Sequence, residues 1–430
     1  MVCFPIAPFL VGSDLAPIEA AFDNFMDGLT GWRPKTDRTG LSIPPRVTVE
    51  ANGYEAAFDR MNRLFLTNLW GDGLPVLPPT DERVGWILEG SDLPRDHVVG
   101  KIMPRGGIAT VETLAVALAM AGGRPEYMPV LTAAMQCILD PAVDHDKFQA
   151  TSAATFPVIV VNGPIARQMR LNSGFGLLGP DPQQPAGASI GRAIRLLLQN
   201  VGGAIPGVGT MSIFGSMRYT NAVFAEDEEG LPEGWAPLNT EFGYAAGSNT
   251  VTMYVATGAT NILRRGVGKE TEEQEARESL HRVAGYLKAP NPHLAYHHET
   301  GTPGALLMSR VVAQQLVAAG WSKDRIRQFL WEQARISRQE LKDAGIEQWI
   351  EAEGDLSAHA DYGDLWPICA RPDQILLVVA GGSHPTHNFW MQAWSRCVVH
   401  APIALPARWE MLIGQADAEL GGAGEMCRIG

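Results

Sequence analysis

Pro157-Val-Ile-Val-Val-Asn162, followed at once by Gly163-Pro164, is the stretch that decides the fold. Six residues without a charge, four of them β-branched in a row, are too few for a core helix. They read as a strand buried on both faces, the signature of a sheet covered by helices. Gly163-Pro164 then breaks the strand and opens a helix toward Met169. Two later runs repeat the pattern. Ala305-Leu-Leu-Met308 leads into a helix from Ser309 to Ala319, and Gln374-Ile-Leu-Leu-Val-Val-Ala380 leads into Gly381-Gly-Ser-His384. The recurrence predicts strand, turn and helix at 157–170, 305–319 and 375–394, with no fixed period. A further strand, Thr250-Val-Thr-Met-Tyr-Val255, is expected to stop at Gly258. Strands separated by helices imply an α/β fold with mixed, partly parallel sheets flanked by helices, in two or three subdomains.

Helices are expected at Glu55–Leu69, from the apolar spacing of Phe58, Met61, Leu64 and Phe65, and at 81–88 behind a Thr80 cap. Further helices fit 110–121, 126–139, 187–200 and a charged, exposed 270–287. Ser322 caps another. Glycine and proline breaks divide the chain into an N-terminal extension with its helix (1–70), a first α/β domain (71–268) and a second (269–430). The acidic segment 226–234 is an alternative linker.

With 430 residues the chain can hold two or three cores. Its net charge of −13 lacks the basic footprint that nucleic acid or an anionic membrane requires. No apolar run is long enough for a transmembrane helix. The apolar start lacks the positive region of a secretory signal, which predicts a segment packed on the body or on a partner subunit, hence a homo-oligomer. Five scattered cysteines, none in C-x-x-C spacing, fit a reducing cytoplasm.

Chemistry is sought first among the histidines, because eight of ten fall between His281 and His400. His384 and His387 lie beyond the third strand run, where α/β sheets place ligands, and read as acid/base groups. Gly381, Gly382 and Ser383 form a turn that fits an anionic or polar substrate. His293 and His297, four apart after Asn291-Pro292, have the spacing for a divalent metal, although no HExxH motif is present. Asp72, on Gly71-Asp-Gly73, and Glu112 are further acid/base candidates. Asn162, Asn172, Ser173 and Arg192 are candidates for holding a substrate. No G-x-G-x-x-G or P-loop follows a strand, so no nucleotide cofactor is expected.

Asp72-Gly-Leu-Pro-Val-Leu-Pro-Pro-Thr80, Gly106-Gly-Ile-Ala-Thr-Val-Glu112 and Met120-Ala-Gly-Gly-Arg-Pro-Glu-Tyr-Met-Pro129 resemble a large bacterial family related to UGSC-motif selenoproteins. So do Val160-Val-Asn-Gly-Pro164, Asn172-Ser-Gly174, Ile190-Gly-Arg-Ala-Ile-Arg195, Asn200-Val-Gly-Gly203, Gly320-Trp-Ser-Lys323 and Val378-Val-Ala-Gly-Gly382. The resemblance spans roughly residues 55–400 as a run of motifs. It implies a thiol- or selenol-centred redox motif, Sec/Cys-Gly-Ser-Cys, which this chain lacks; Gly123 stands where a cysteine is expected. It also implies Asp72, Glu112, Glu126, Asn162, Asn172 and Arg192 as pocket residues.

Three functional classes follow. The first is an enzyme, a lyase or hydrolase, acting on a small polar organic substrate by acid/base or metal-assisted chemistry. The second is a thiol redox enzyme, and the third a non-catalytic ligand-binding or assembly protein.

Overall fold

The computed structural model describes residues 14–31, 33, 46–215, 222–264, 271–289, 301–348, 362–394 and 397–421. It separates into two compact units, 1–48 and 49–430. The first contains the helices Ala16–Ala20 and Phe22–Thr30, neither with a buried side chain. Among the described residues, the strands lie in the second.

Those strands, in chain order, are β1 (Val98–Ile102), β2 (Gly107–Thr110), β3 (Phe156–Asn162), β4 (Ala222–Ala225), β5 (Thr250–Leu263), β6 (Gly304–Met308), β7 (Arg335–Ser337), β8 (Leu365–Pro367), β9 (Leu376–Val379), β10 (His387–Ala393) and β11 (Val399–Pro402). Two small antiparallel pairs, β1–β2 and β7–β8, flank a seven-stranded sheet ordered β4-β3-β5-β10-β6-β9, with β11 also on β5.

That order is palindromic. In one half β3 pairs parallel with β4 and antiparallel with β5. In the other, β6 pairs parallel with β9 and antiparallel with β10. The halves meet at the antiparallel pair β5–β10. Each half is therefore the same unit: a strand, a helical crossover to a parallel neighbour, and a third strand returning on the first strand's other side.

Packing follows from the continuous apolar runs. All seven residues of β3 are buried. Ile159 and Val161 face helices Val111–Met120, Met128–Ile138 and Ala186–Asn200 in one core. Leu306, Met308, Leu377 and Val379 face helices Glu272–Leu287, Arg310–Ala318 and Lys323–Gln333 in a second. Between the halves, Phe156, Val158, Val160, Phe224, Tyr254, Leu307, Val378 and Met391 fill a third core inside the curled sheet. Strands buried on both sides have no polar face to show, which is why they carry no alternation.

The curl nearly closes the sheet. Asp227 N–H, just beyond β4, donates to Val379 O on β9 at 2.7 Å. Asn172 and Ser173 bridge the same two edges, accepting from Ala225 N and Gly381 N at 2.8 Å each. Both exposed edges are thereby covered.

The sheet joins strands from 71–268 and 269–430, and four expectations change. β5 does not stop at Gly258 but continues to Leu263, because β10 supplies a pairing partner there, with a register shift opposite the glycine. Residues 387–393 form a strand rather than a helix, since β5 and β6 offer edges on both sides. The helix Glu272–Leu287 is charged outward yet buries Leu280, Val283 and Leu287. Finally, the acidic segment is no exposed linker at its start, for Glu226 and Asp227 are 3% and 6% exposed.

Close strand approach is tightest at Gly304, where φ is +146° and an added Cβ would lie 2.3 Å from Met391 O. Gly304→Ala is expected to cost roughly 3 kcal/mol, because a forbidden backbone conformation and a backbone clash coincide. Urea unfolding measures this, and a loss near zero would show that β6 and β10 can part freely.

Candidate functional site

At the carboxyl ends of β6 and β9 lies an open cavity of about 500 Å³, within the range of small-ligand sites. Its wall is made by Gly176–Pro180, Asn261, Leu307, Ser309, Ala380–Gly382, His384 and His387–Phe389. No Lys, Arg, Asp or Glu is among these residues. The site therefore presents imidazole, amide and hydroxyl groups over an apolar floor of Leu177, Leu178, Leu307 and Phe389.

Each piece is held for a stated reason. Ser309 follows β6 and caps the next helix, its Oγ accepting from Val312 N at 3.3 Å and donating to His384 O at 2.7 Å. That hydroxyl is committed to structure. Gly381 has φ +102°, which suits glycine. Gly382 lies directly under the Phe175 ring, where a Cβ would meet the ring at 2.1 Å. Asn172 shapes the opposite wall: its amide donates to Phe175 O at 2.8 Å and accepts from Gly174 N at 2.7 Å.

From the glycine turn the chain reaches the two histidines. Thr386 Oγ1 lies 2.7 Å from His384 Nδ1 and 2.7 Å from His387 Nδ1. Arg264 holds the turn from behind, its N–H donating to Thr386 O at 2.6 Å and its guanidinium to Pro385 O and Gln315 Oε1. Beside them Asn388 is 4% exposed, and its Oδ1 has no hydrogen-bond partner. Strand alternation turns this side chain away from Leu307 and Phe389 and toward the side of Ile262, Met308 and Trp390, in the second core, so that oxygen does not face the cavity floor.

The structure thus brings together His384, His387, Gly381, Gly382 and, through their loop, Asn172 and Ser173. Ser383 is exposed on the same turn but is not part of the wall. Asn162 is fully buried elsewhere, donating to Glu226 Oε2 at 2.7 Å and Glu228 Oε1 at 2.8 Å. Glu112 pairs with Arg95 at 2.6 Å on the surface. Glu126 is buried against Arg124 at 2.6 Å. His293 and His297 lie outside the described residues, and among the described residues no three His, Cys, Asp or Glu converge as metal ligands. Thr386, Asn388 and Asn261 were not singled out from sequence. Thr386 had a signal, lying between two histidines in His384-Pro-Thr-His387; the asparagines had none.

Asp72 and Arg192 form a clamp instead of a site wall. Arg192 reaches Asp72 through two bonds, at 2.8 and 3.0 Å, and also Pro75 O at 2.9 Å. The loop after the helix Tyr54–Asn68 is thereby tied to the helix Ala186–Asn200. Burial acts to raise the Asp72 pKa, but the Arg192 bonds and charge outweigh it and hold the carboxyl below its usual value. A depressed carboxyl stabilises the fold above its unfolded pKa, and this is lost as pH falls through the folded one. Asp72→Asn is therefore expected to cost about 3 kcal/mol at neutral pH, with the deficit shrinking in acid. Unfolding curves at the two pH values measure it, and a pH-independent gap would contradict the ion-pair origin.

Compared with known protein families, with curated proteins and with solved structures, the chain matches none. Functional inference therefore rests on the geometry. Among the described residues no helix is long and apolar enough to cross a membrane.

Proposed function

We propose that the chain is an enzyme that moves protons on a small polar organic molecule, a lyase or hydrolase working by general acid/base catalysis. The observation that carries this is the hydroxyl of Thr386 between two imidazoles, at 2.7 Å from each. A hydroxyl has one proton. When both rings are neutral, it donates to one Nδ1 and accepts from the other ring's Nδ1–H. The rings are then opposite tautomers, so one Nε2 is a free base and the other carries a proton. A base and an acid on one cavity wall are what elimination, hydration and hydrolysis need. Moving both protons across Thr386 exchanges the two roles and resets the pair.

Asn261, opposite Phe389, supplies an amide contact, and the uncharged wall favours a substrate whose polarity comes from hydroxyl, carbonyl or amide groups. The thiol reading has less support. Burial pushes the Cys137 thiol up to about 12, the Cys397 thiol up to about 11, and the Cys369 thiol upward as well, all away from the reactive thiolate. A homo-oligomer in a reducing cytoplasm, as the cysteine pattern and apolar start suggest, remains part of the proposal.

The test has two readouts. In nitrogen-15 spectra recorded at alkaline pH, one of the two rings is expected as Nδ1–H and the other as Nε2–H, and Thr386→Val abolishes that pairing. Turnover is sought by proton NMR in deuterated buffer, with a panel of small hydroxy compounds, carbonyl compounds and amides. For whichever compound reacts, His384→Ala and His387→Ala should each lower kcat by about 10²–10⁴-fold. Full turnover by the double variant would sink the proposal.

A further inference from the structure

The inner end of the other half-sheet holds a second polar group, separate from the histidine cavity. Asn162 closes β3 and lies directly opposite Thr250 on β5. Thr252 follows on the same face as Thr250, because side chains alternate along a strand. Glu226 follows β4, and its Oε2 accepts from Asn162 Nδ2 and Leu238 N, both at 2.7 Å. Asn239, next to Leu238, spends its amide N–H on Ser248 O at 3.0 Å. All five side chains are at most 3% exposed.

Five polar atoms here have no partner: Asn162 Oδ1, Glu226 Oε1, Asn239 Oδ1, Thr250 Oγ1 and Thr252 Oγ1. Every one is an oxygen. An unmet buried polar atom costs about 1–3 kcal/mol, so five in one place are not a packing accident that the fold could carry unrelieved. Two of them are hydroxyls, which can also donate; the two amide oxygens and an ionised carboxylate oxygen can only accept. The nearby ammonium of Lys323 does not serve these acceptors, since its Nζ is bonded to Ala236 O at 2.7 Å and lies 3.5 Å from Glu241.

We propose that these oxygens bind a single hard monovalent cation, sodium or potassium, inside the curled sheet. Amide carbonyl, hydroxyl and carboxylate oxygens are the donors that hard cations take. One carboxylate in the set matches one positive charge, whereas calcium sites gather several. The absence of imidazole and thiolate among the five disfavours a transition metal. Burial raises the Glu226 pKa, and its two N–H donors both reach the other oxygen, so a cation would hold the group in its carboxylate form. The ion also ties the end of β3 to β5, to the exit of β4 and to the 238–239 segment.

The experiment is thermal unfolding of the full chain in sodium, potassium and choline chloride at matched ionic strength. Tm is expected to rise saturably with sodium or potassium over the choline baseline, as for any ligand of the native state alone. Glu226→Gln should abolish that rise. Thr250→Val replaces one unpartnered hydroxyl by a methyl group in a strand that favours valine, and should raise the apparent Kd about tenfold, equivalent to about 1.4 kcal/mol. If Glu226→Gln does not fold, Thr250→Val decides. Equal Tm in all three salts, or a rise unaltered in the variants, overturns the proposal. So would a thallium-soaked crystal with no anomalous peak beside Asn162 and Glu226.

Discussion

The arrangement depends on how the two free edges of one sheet are brought together and held. Asp227 does this twice over. Its N–H donates to Val379 O, and its carboxylate takes both the Nε and an Nη of Arg310, at 2.7 and 2.6 Å. Arg310 is the first residue of the helix after β6, so the pair joins the exit of β4 to the exit of β6 in the other half. A two-pronged guanidinium–carboxylate contact fixes direction as well as distance. Together with the bridge through Asn172 and Ser173, it keeps β4 beside β9 and so holds the shape of the inner core and the cavity wall.

The two halves use the same backbone plan for different purposes. After β3 comes Asn162, fully buried and bonded to two glutamates; after β6 comes Ser309, a helix cap that also holds His384 O. Beyond β4 the chain is acidic, while beyond β9 it is glycine, glycine and a histidine turn. One half has become closed and oxygen-lined, and the other open and imidazole-lined. Topology supplied two equivalent positions, and side chains made them unlike.

Much of this could be read in the sequence where the signal was local. β3 and β9 announced themselves because strands covered on both faces must be apolar throughout, and the helix caps at Thr80 and Ser322 are one-residue signals that the structure uses. The losses were tertiary. β4 is only four residues long, and it abuts charges that look solvated until Asn162 and Leu238 are seen to meet them. Asn388 and Trp390 read as nothing in particular, since the two strands that make them a third lie far away in the chain. The histidine turn was legible, but the hydroxyl that pairs its rings acquires meaning only from distances. Asp72 and Arg192 attracted notice as motif residues, and their charges are spent on each other.

The palindromic sheet also sets an order of events during synthesis. β3, β4 and the first part of β5 can assemble once residue 256 or so has emerged, since all their mutual pairings lie within that stretch. Residues 258–263 of β5 then wait with no strand partner until residues 387–393 arrive, and its opening residues keep one flank bare longer still, for β11. Such pairings between distant segments form slowly, and an unpaired apolar strand meanwhile invites the wrong neighbour. The nascent chain is thus most vulnerable to aggregation in the interval between its two halves.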